Sequence, residues 1–173
     1  TAGDVNGDGY DDVIIGWPYY LNLNGPVNGR ACVWHGGAGG MGAAGTPANA
    51  DWTVDGEAAR QVGLSVSTAG DANGDGYSDV LIGAPDTADG DGIGGRAYLY
   101  RGSAAGLLGV ATSTRSSGQA DDRFGLHVAT AGDVNGDGYA DAIVGADGYH
   151  NADLTDGAAF VYHGSVSGLT TAQ

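Results

Sequence analysis

A nine-residue phrase rich in oxygen donors occurs three times: Asp4-Val5-Asn6-Gly7-Asp8-Gly9-Tyr10-Asp11-Asp12, Asp71-Ala72-Asn73-Gly74-Asp75-Gly76-Tyr77-Ser78-Asp79, and Asp133-Val134-Asn135-Gly136-Asp137-Gly138-Tyr139-Ala140-Asp141. Every copy offers side-chain oxygens at positions 1, 3, 5 and 9. Hard cations, calcium above all, are held by such clusters of carboxylate and amide oxygens, and the amide of Asn at position 3 adds an oxygen without adding charge. Magnesium suits the pattern less, because it demands near-octahedral geometry and keeps waters.

The opening Asp-x-Asn-x-Asp-Gly is shared with EF-hand loops, in which position 12 carries a closing Glu and helices flank the loop. Here position 12 is Ile15, Ile82 or Val144, and the acid that closes the phrase sits at position 9 as Asp12, Asp79 or Asp141. Each copy runs into a short apolar stretch, Val13-Ile14-Ile15-Gly16, Val80-Leu81-Ile82-Gly83 or Ala142-Ile143-Val144-Gly145. These stretches read as strands, so the loop is expected between strands.

The copies start at 4, 71 and 133, and the likeness extends beyond the loop. Val62-Gly63-Leu64-Ser65-Val66 and Phe124-Gly125-Leu126-His127-Val128 precede the second and third loops. A further apolar run follows each first strand, at 30–36, 96–102 and 158–164, and a fourth, weaker strand is expected near Asp51–Val54 and Thr112–Arg115. Four short strands in a unit of about sixty residues is the mark of a propeller blade. One small sheet cannot bury both of its faces, and stacking blades buries each against the next. The expected division is 1–67 for a first blade lacking its first strand, 68–129 for a second, with the first strand of the third near 124–128, and 130–173 for the rest of a third lacking its last strand.

Phe-Gly, then the acidic phrase, then Gly-Ala-Pro resembles the FG-GAP repeat of integrin α-type propellers, a likeness covering nearly the whole chain. Phe124-Gly125 and Gly83-Ala84-Pro85 are the literal signatures, while Val62, Trp17 and Asp147 depart from it. The resemblance implies an all-β fold of antiparallel four-stranded blades, about three here with the first and last incomplete. It also implies three calcium sites, formed by Asp4, Asn6, Asp8 and Asp12 with the Tyr10 carbonyl, by Asp71, Asn73, Asp75 and Asp79 with that of Tyr77, and by Asp133, Asn135, Asp137 and Asp141 with that of Tyr139. The calcium is expected to be structural, with the modest affinity of extracellular modules, which places the chain outside the cell. Because three blades leave apolar faces at both ends, the chain is expected to be part of a longer propeller or to assemble with copies of itself.

The charge agrees. Net charge is −15 with only 6 Lys and Arg, so there is no basic footprint for nucleic acid or anionic membrane. Bound divalent ions would relieve much of the repulsion among the loop carboxylates. The 35 glycines follow no strict every-third pattern, so collagen is excluded. No apolar run approaches membrane-spanning length. No signal peptide is visible, and since the sequence starts mid-repeat any leader is expected to have been lost.

Cys32, the only cysteine, reads as a core residue, because Tyr98 and Phe160 hold its place in the other copies. His35, His127, His150 and His163 read as structural or solvated, and no Gly-x-Ser-x-Gly elbow or His-x-x-x-His pair is present. The expectation is therefore a binding or assembly module rather than an enzyme. The alternatives are the propeller domain of a secreted hydrolase or lyase, or an excised or engineered self-assembling fragment. Recognition of a protein or carbohydrate is expected in the variable loops after each first apolar strand, which strand alternation puts on the rim opposite the acidic loops. Trp17, Tyr19, Tyr20, Tyr149 and His150 are the candidates there, with the loops from Asp86 to Gly95 and Gly148 to Asp153. The competing reading is that these aromatics pack their own loops.

Overall fold

A computed structural model describes residues 1–21, 28–40, 45–56, 61–85, 94–151 and 154–171. The chain runs β1 (Val13–Trp17), β2 (Arg30–Trp34), β3 (Trp52–Asp55), β4 (Ser65–Gly70), β5 (Asp79–Ala84), β6 (Arg96–Tyr100), β7 (Ser113–Arg115), β8 (His127–Gly132), β9 (Asp141–Ala146), β10 (His150–Asn151), β11 (Leu154–Thr155), β12 (Ala158–His163) and β13 (Thr170–Thr171). These form antiparallel sheets in the orders β1-β2-β3, β4-β5-β6-β7 and β8-β9-β12-β13, with β10-β11 a separate ribbon. In the first sheet, Gly3 bridges Asp12 where the other two sheets pair Gly70 with Asp79 and Gly132 with Asp141.

The second sheet opens at Ser65 and the third at His127, so cuts at 67/68 and 129/130 fall inside β4 and β8. The reason is hydrogen bonding: β4 pairs with β5 across the acidic loop, and β8 with β9. Phe124-Gly125 itself forms a turn ahead of its strand, because Gly125, like Gly63, adopts a positive φ. At the other end of the third sheet, Thr170 and Thr171 pair with His163 and Tyr162, so a short fourth strand is present where none was expected.

Why β5 reads as a continuous apolar run is clear from its two neighbours. Val80, Ile82 and Ala84 join Ile14, Val33 and Val62 in the core between the first and second sheets. Leu81 faces the other way, into a core with Leu99, Phe124, Val144 and Tyr162. A strand buried on both faces loses the alternation of a half-buried one.

The departures from the repeat pattern are compensated by aromatic packing. Phe124 lies 6.2 Å from Tyr162, nearly edge-on. The second sheet has Val62 in place of that Phe, and Trp52 of the first sheet covers the equivalent Tyr100 at 5.0 Å. In the first sheet, Trp17 covers the equivalent Trp34 at 5.8 Å. Such edge contacts contribute about 0.5–1.5 kcal/mol beyond burial. Asp147, at the Pro position, pairs with Arg123 at 3.0 Å.

Candidate metal centre

The three acidic loops share one internal wiring. At position 1, Asp4 Oδ1 accepts from the Gly7 and Asp8 amides and its Oδ2 from Gly9 at 2.8 Å. Asp71 and Asp133 repeat this with Gly74, Asp75 and Gly76, and with Gly136, Asp137 and Gly138. The Asn at position 3 accepts from the amide at position 5 and donates to that Asp, at 3.2, 2.7 and 2.8 Å for the pairs Asn6–Asp8, Asn73–Asp75 and Asn135–Asp137. Glycines at positions 4 and 6 take φ of 75° to 91° in all three loops, a region costly for other residues. The turn therefore requires two glycines; the position-6 glycine was evident from the EF-hand comparison, the other was not.

The acid at position 9 has a structural task that the sequence did not reveal. Asp12, Asp79 and Asp141 are fully buried. One oxygen of each accepts from the amide at position 2 (Val5, Ala72, Val134) and the other from Gly36, Gly102 or Gly164 just after the next strand. Each carboxylate thus clasps the start of the loop to the neighbouring hairpin.

Oxygen chemistry throughout fits a hard cation. The carbonyls of Tyr10, Tyr77 and Tyr139 accept no hydrogen bond among the described residues and remain free to serve as ligands. Among the described residues, no three acidic, His or Cys side chains converge closely enough to hold an ion as they stand. A cation would have to draw the loop carboxylates inward. The electrostatics favour that movement in the second loop. Burial pushes the Asp79 carboxyl up to about 7 against the pull of the Gly102 and Ala72 amides, and Asp75 and Asp71 add to the rise. Asp141 goes the other way: burial raises it, but the Gly164 and Val134 amides and His163, 3.3 Å away, bring it below the usual carboxylate range.

Each of the first two loops is also a joint between sheets. The Asp4 carbonyl accepts from Ser78 N at 2.9 Å and the Val5 carbonyl from Ser103 N at 3.1 Å. One sheet further on, Asp71 accepts from Ala140 N and Ala72 from Ser165 N, both at 3.0 Å. The Tyr77 ring lies on Gly7, where a Cβ would come within 2.6 Å of it, and the Tyr139 ring lies on Gly74 in the same way. At the far end of the strands, a Cβ on Gly16 would overlap the Gly63 carbonyl, and one on Gly83 that of Gly125.

The FG-GAP repeat profile matches residues 1–33, 62–100 and 124–162, one segment for each loop and its strands. The chain belongs to the FG-GAP repeat family. Its sheets are therefore β-propeller blades. It is 41% identical to human integrin alpha-6 over 68% of its own length, and 34% identical to Drosophila melanogaster integrin alpha-PS2 over 97%. Over 58% of the chain it is 42% identical to chicken integrin alpha-6. The chain spans about a tenth of the length of these relatives, 9% to 11%.

In this FG-GAP array the variable loops follow the far ends of β1, β5 and β9, opposite the acidic loops. Trp17 packs edge-on against Trp34, and Tyr20 lies under the Arg30 guanidinium at 3.9 Å, which is itself paired with Asp55. Tyr149 packs edge-on against Phe160 at 5.3 Å. Tyr19 is 70% exposed and His150 is exposed, its backbone tied to the Gln119 side chain. Residues 86–93, 152 and 153 of the candidate rim loops lie outside the described residues. Cys32 is fully buried in β2, and burial pushes its thiol up. It is expected to resist a disulfide-exchange reagent in the native chain and to react only on unfolding, as release of the chromophore with and without urea will show.

Proposed function

We propose that the chain is a calcium-stabilised propeller module that works outside the cell as a binding scaffold. The observation that carries this reading is the placement of the acidic loops. The same oxygen-rich turn recurs three times, and twice it forms the seam between blades. A cation held by Asp71, Asn73, Asp75 and Asp79, with the Tyr77 carbonyl, would supply charge neutralisation where these carboxylates crowd. The corresponding sets are Asp4, Asn6, Asp8, Asp12 and Tyr10, and Asp133, Asn135, Asp137, Asp141 and Tyr139. The chain's own glycines and amides hold each turn in shape for it. The role is structural: the ion orders the seam, and recognition is left to the opposite rim.

The integrin alpha relatives support an extracellular setting and a protein ligand. On the rim, Tyr19 is the aromatic most open to a partner, whereas Trp17, Tyr20 and Tyr149 stiffen the surface that presents it. Further blades complete the array, supplied by the rest of a longer chain or by other copies. Isothermal titration of chelator-stripped protein tests the metal reading: three calcium ions are expected per chain, and two for Asp71→Ala with Asp75→Ala. Absence of binding up to about 1 mM free calcium, the weak end for extracellular modules, would refute it.

A further inference from the structure

The two seams between blades are filled differently at their outer strands. β3 and β7 hold equivalent registers: Trp52 pairs with Val33 and Ser113 with Leu99, Val54 with Ala31 and Arg115 with Ala97. Trp52 thus stands where Ser113 stands one blade later, and Val54 where Arg115 stands. In the first seam, the Trp52 indole packs edge-on against Tyr100 at 5.0 Å, and its N–H donates to the Leu108 carbonyl at 3.2 Å. In the second, Tyr162 takes its aromatic cover from Phe124, on the turn ahead of β8. No aromatic is then required of β7, and Ser113 leaves the indole's place open.

An open cleft of about 570 Å³ lies there, within the ordinary size range of ligand sites. Ser113 and Arg115 of the second blade line it, with Ser167, Leu169 and Thr170 of the third. Thr170 is the counterpart of Leu108: each lies opposite the residue that ends the second apolar strand, His163 or Arg101. The room depends on residue 113 and not on the outer strand of the third blade. At the first seam the corresponding outer strand, β7, is paired with β6, and the Trp52 indole still keeps its place.

The cleft also holds a charge. The Arg115 guanidinium lies 5.8 Å from the centre of the Tyr162 ring and donates to the Thr114 carbonyl at 3.1 Å and to the Leu169 carbonyl. Its Nε is buried and has no partner among the described residues. No carboxylate among the described residues pairs with it. Carbonyls orient a guanidinium without cancelling its charge. In a chain with 21 Asp and Glu against 6 Lys and Arg, a guanidinium held in a cleft without a counter-ion marks a place for an anionic group.

We propose that this cleft binds a planar aromatic carboxylate. The ring takes the place that Trp52 fills one seam earlier, a ring N–H donates to the Thr170 carbonyl, and the carboxylate pairs with the Arg115 guanidinium. Arginine's flat fork matches a carboxylate with two parallel bonds, and the Thr114 and Leu169 carbonyls hold that fork at the cleft. A free aryl acid and the C-terminal aromatic residue of a peptide share this chemistry. The inference does not rest on the calcium reading, because no acidic-loop residue lines the cleft.

Ligand-observed NMR titration of the full chain, at about 0.15 M salt to screen the acidic surface, tests this. Indole-3-acetate is expected to bind with a Kd of about 1 mM or tighter, the ordinary strength for so small a ligand. Indole, which lacks the carboxylate, and glucuronate, which lacks the aromatic ring, are each expected to bind about tenfold more weakly or worse. Ser113→Trp places the first seam's own residue in the cleft and is expected to abolish binding with the fold retained. Arg115→Gln is expected to weaken indole-3-acetate about tenfold and to leave indole unchanged. No binding of indole-3-acetate up to about 10 mM overturns the proposal, as does glucuronate binding as tightly, or Ser113→Trp binding like the wild type. If circular dichroism shows either variant unfolded, Ser113→Phe and Arg115→Met take their places. N-acetyltryptophan, which imitates a peptide end, separates the sources: tighter binding than indole-3-acetate assigns the cleft to peptide C-termini, and weaker binding assigns it to free aryl acids.

Discussion

Excess chelator is expected to lower the thermal midpoint of the chain by about 5–10 °C for each loop that holds calcium. Ligand present at a hundred times its Kd stabilises the folded state by about 2.7 kcal/mol, and a domain of this size gains about 2–4 °C per kcal/mol. The second loop should contribute most. There Asp79 is buried with Asp71 and Asp75 adding to its burden, so that its carboxyl is raised to about 7 without an ion. Asp141 in the third loop is held low by its amide partners and His163, so an ion has less strain to relieve. Melting followed by far-ultraviolet circular dichroism in calcium and in chelator checks this. Coincident curves would remove the structural role.

A matched pair of glycine substitutions is expected to give a large effect in one blade and almost none in the next. Gly83 and Gly145 hold the same place in β5 and β9, and neither has a positive φ. A methyl on Gly83 would overlap the Gly125 carbonyl, which is backbone and cannot step aside; a methyl on Gly145 would make only ordinary contacts with His127, its Cβ at 3.6 Å and its carbonyl oxygen at 3.8 Å. Gly83→Ala is therefore expected to cost about 3 kcal/mol or more. Gly145→Ala should be neutral or stabilise by about 0.4–1 kcal/mol, through loss of backbone freedom in the unfolded chain. Urea midpoints of the two variants decide the matter. Equal losses would mean that the blades do not approach at Gly83.

The same comparison shows where a sequence can and cannot be read. Gly16, Gly83 and Gly145 look alike in the repeat, and each precedes the end of an apolar strand. Only the stacking distinguishes them: the first two face the turn glycine ahead of the next sheet, Gly63 or Gly125, and the third faces none among the described residues. Trp17, Val62 and Asp147 looked like independent departures. In the fold, Trp17 and Trp52 supply the aromatic cover that Phe124 gives elsewhere, and Asp147 gains an ion pair with Arg123. No local pattern links Trp52 to Val62, because they share a core only once the first two sheets stack.

What the sequence determined by itself was the repeat. Position-9 acids, apolar runs and turn glycines recur in phase, and local rules of period and turn chemistry suffice to make strands of them and to place an oxygen-rich loop ahead of each. The tertiary structure decided what those loops do besides gathering oxygens. Asp12, Asp79 and Asp141 clasp two hairpins with both carboxylate oxygens, and the carbonyls beside Asp4 and Asp71 bind the following blade. The physical reason is range. Donor type and spacing are written within nine residues, but the Gly36, Gly102 and Gly164 amides and those that reach the Asp4, Val5, Asp71 and Ala72 carbonyls come from beyond the next strand or from the next sheet, and only folding brings them within hydrogen-bond reach.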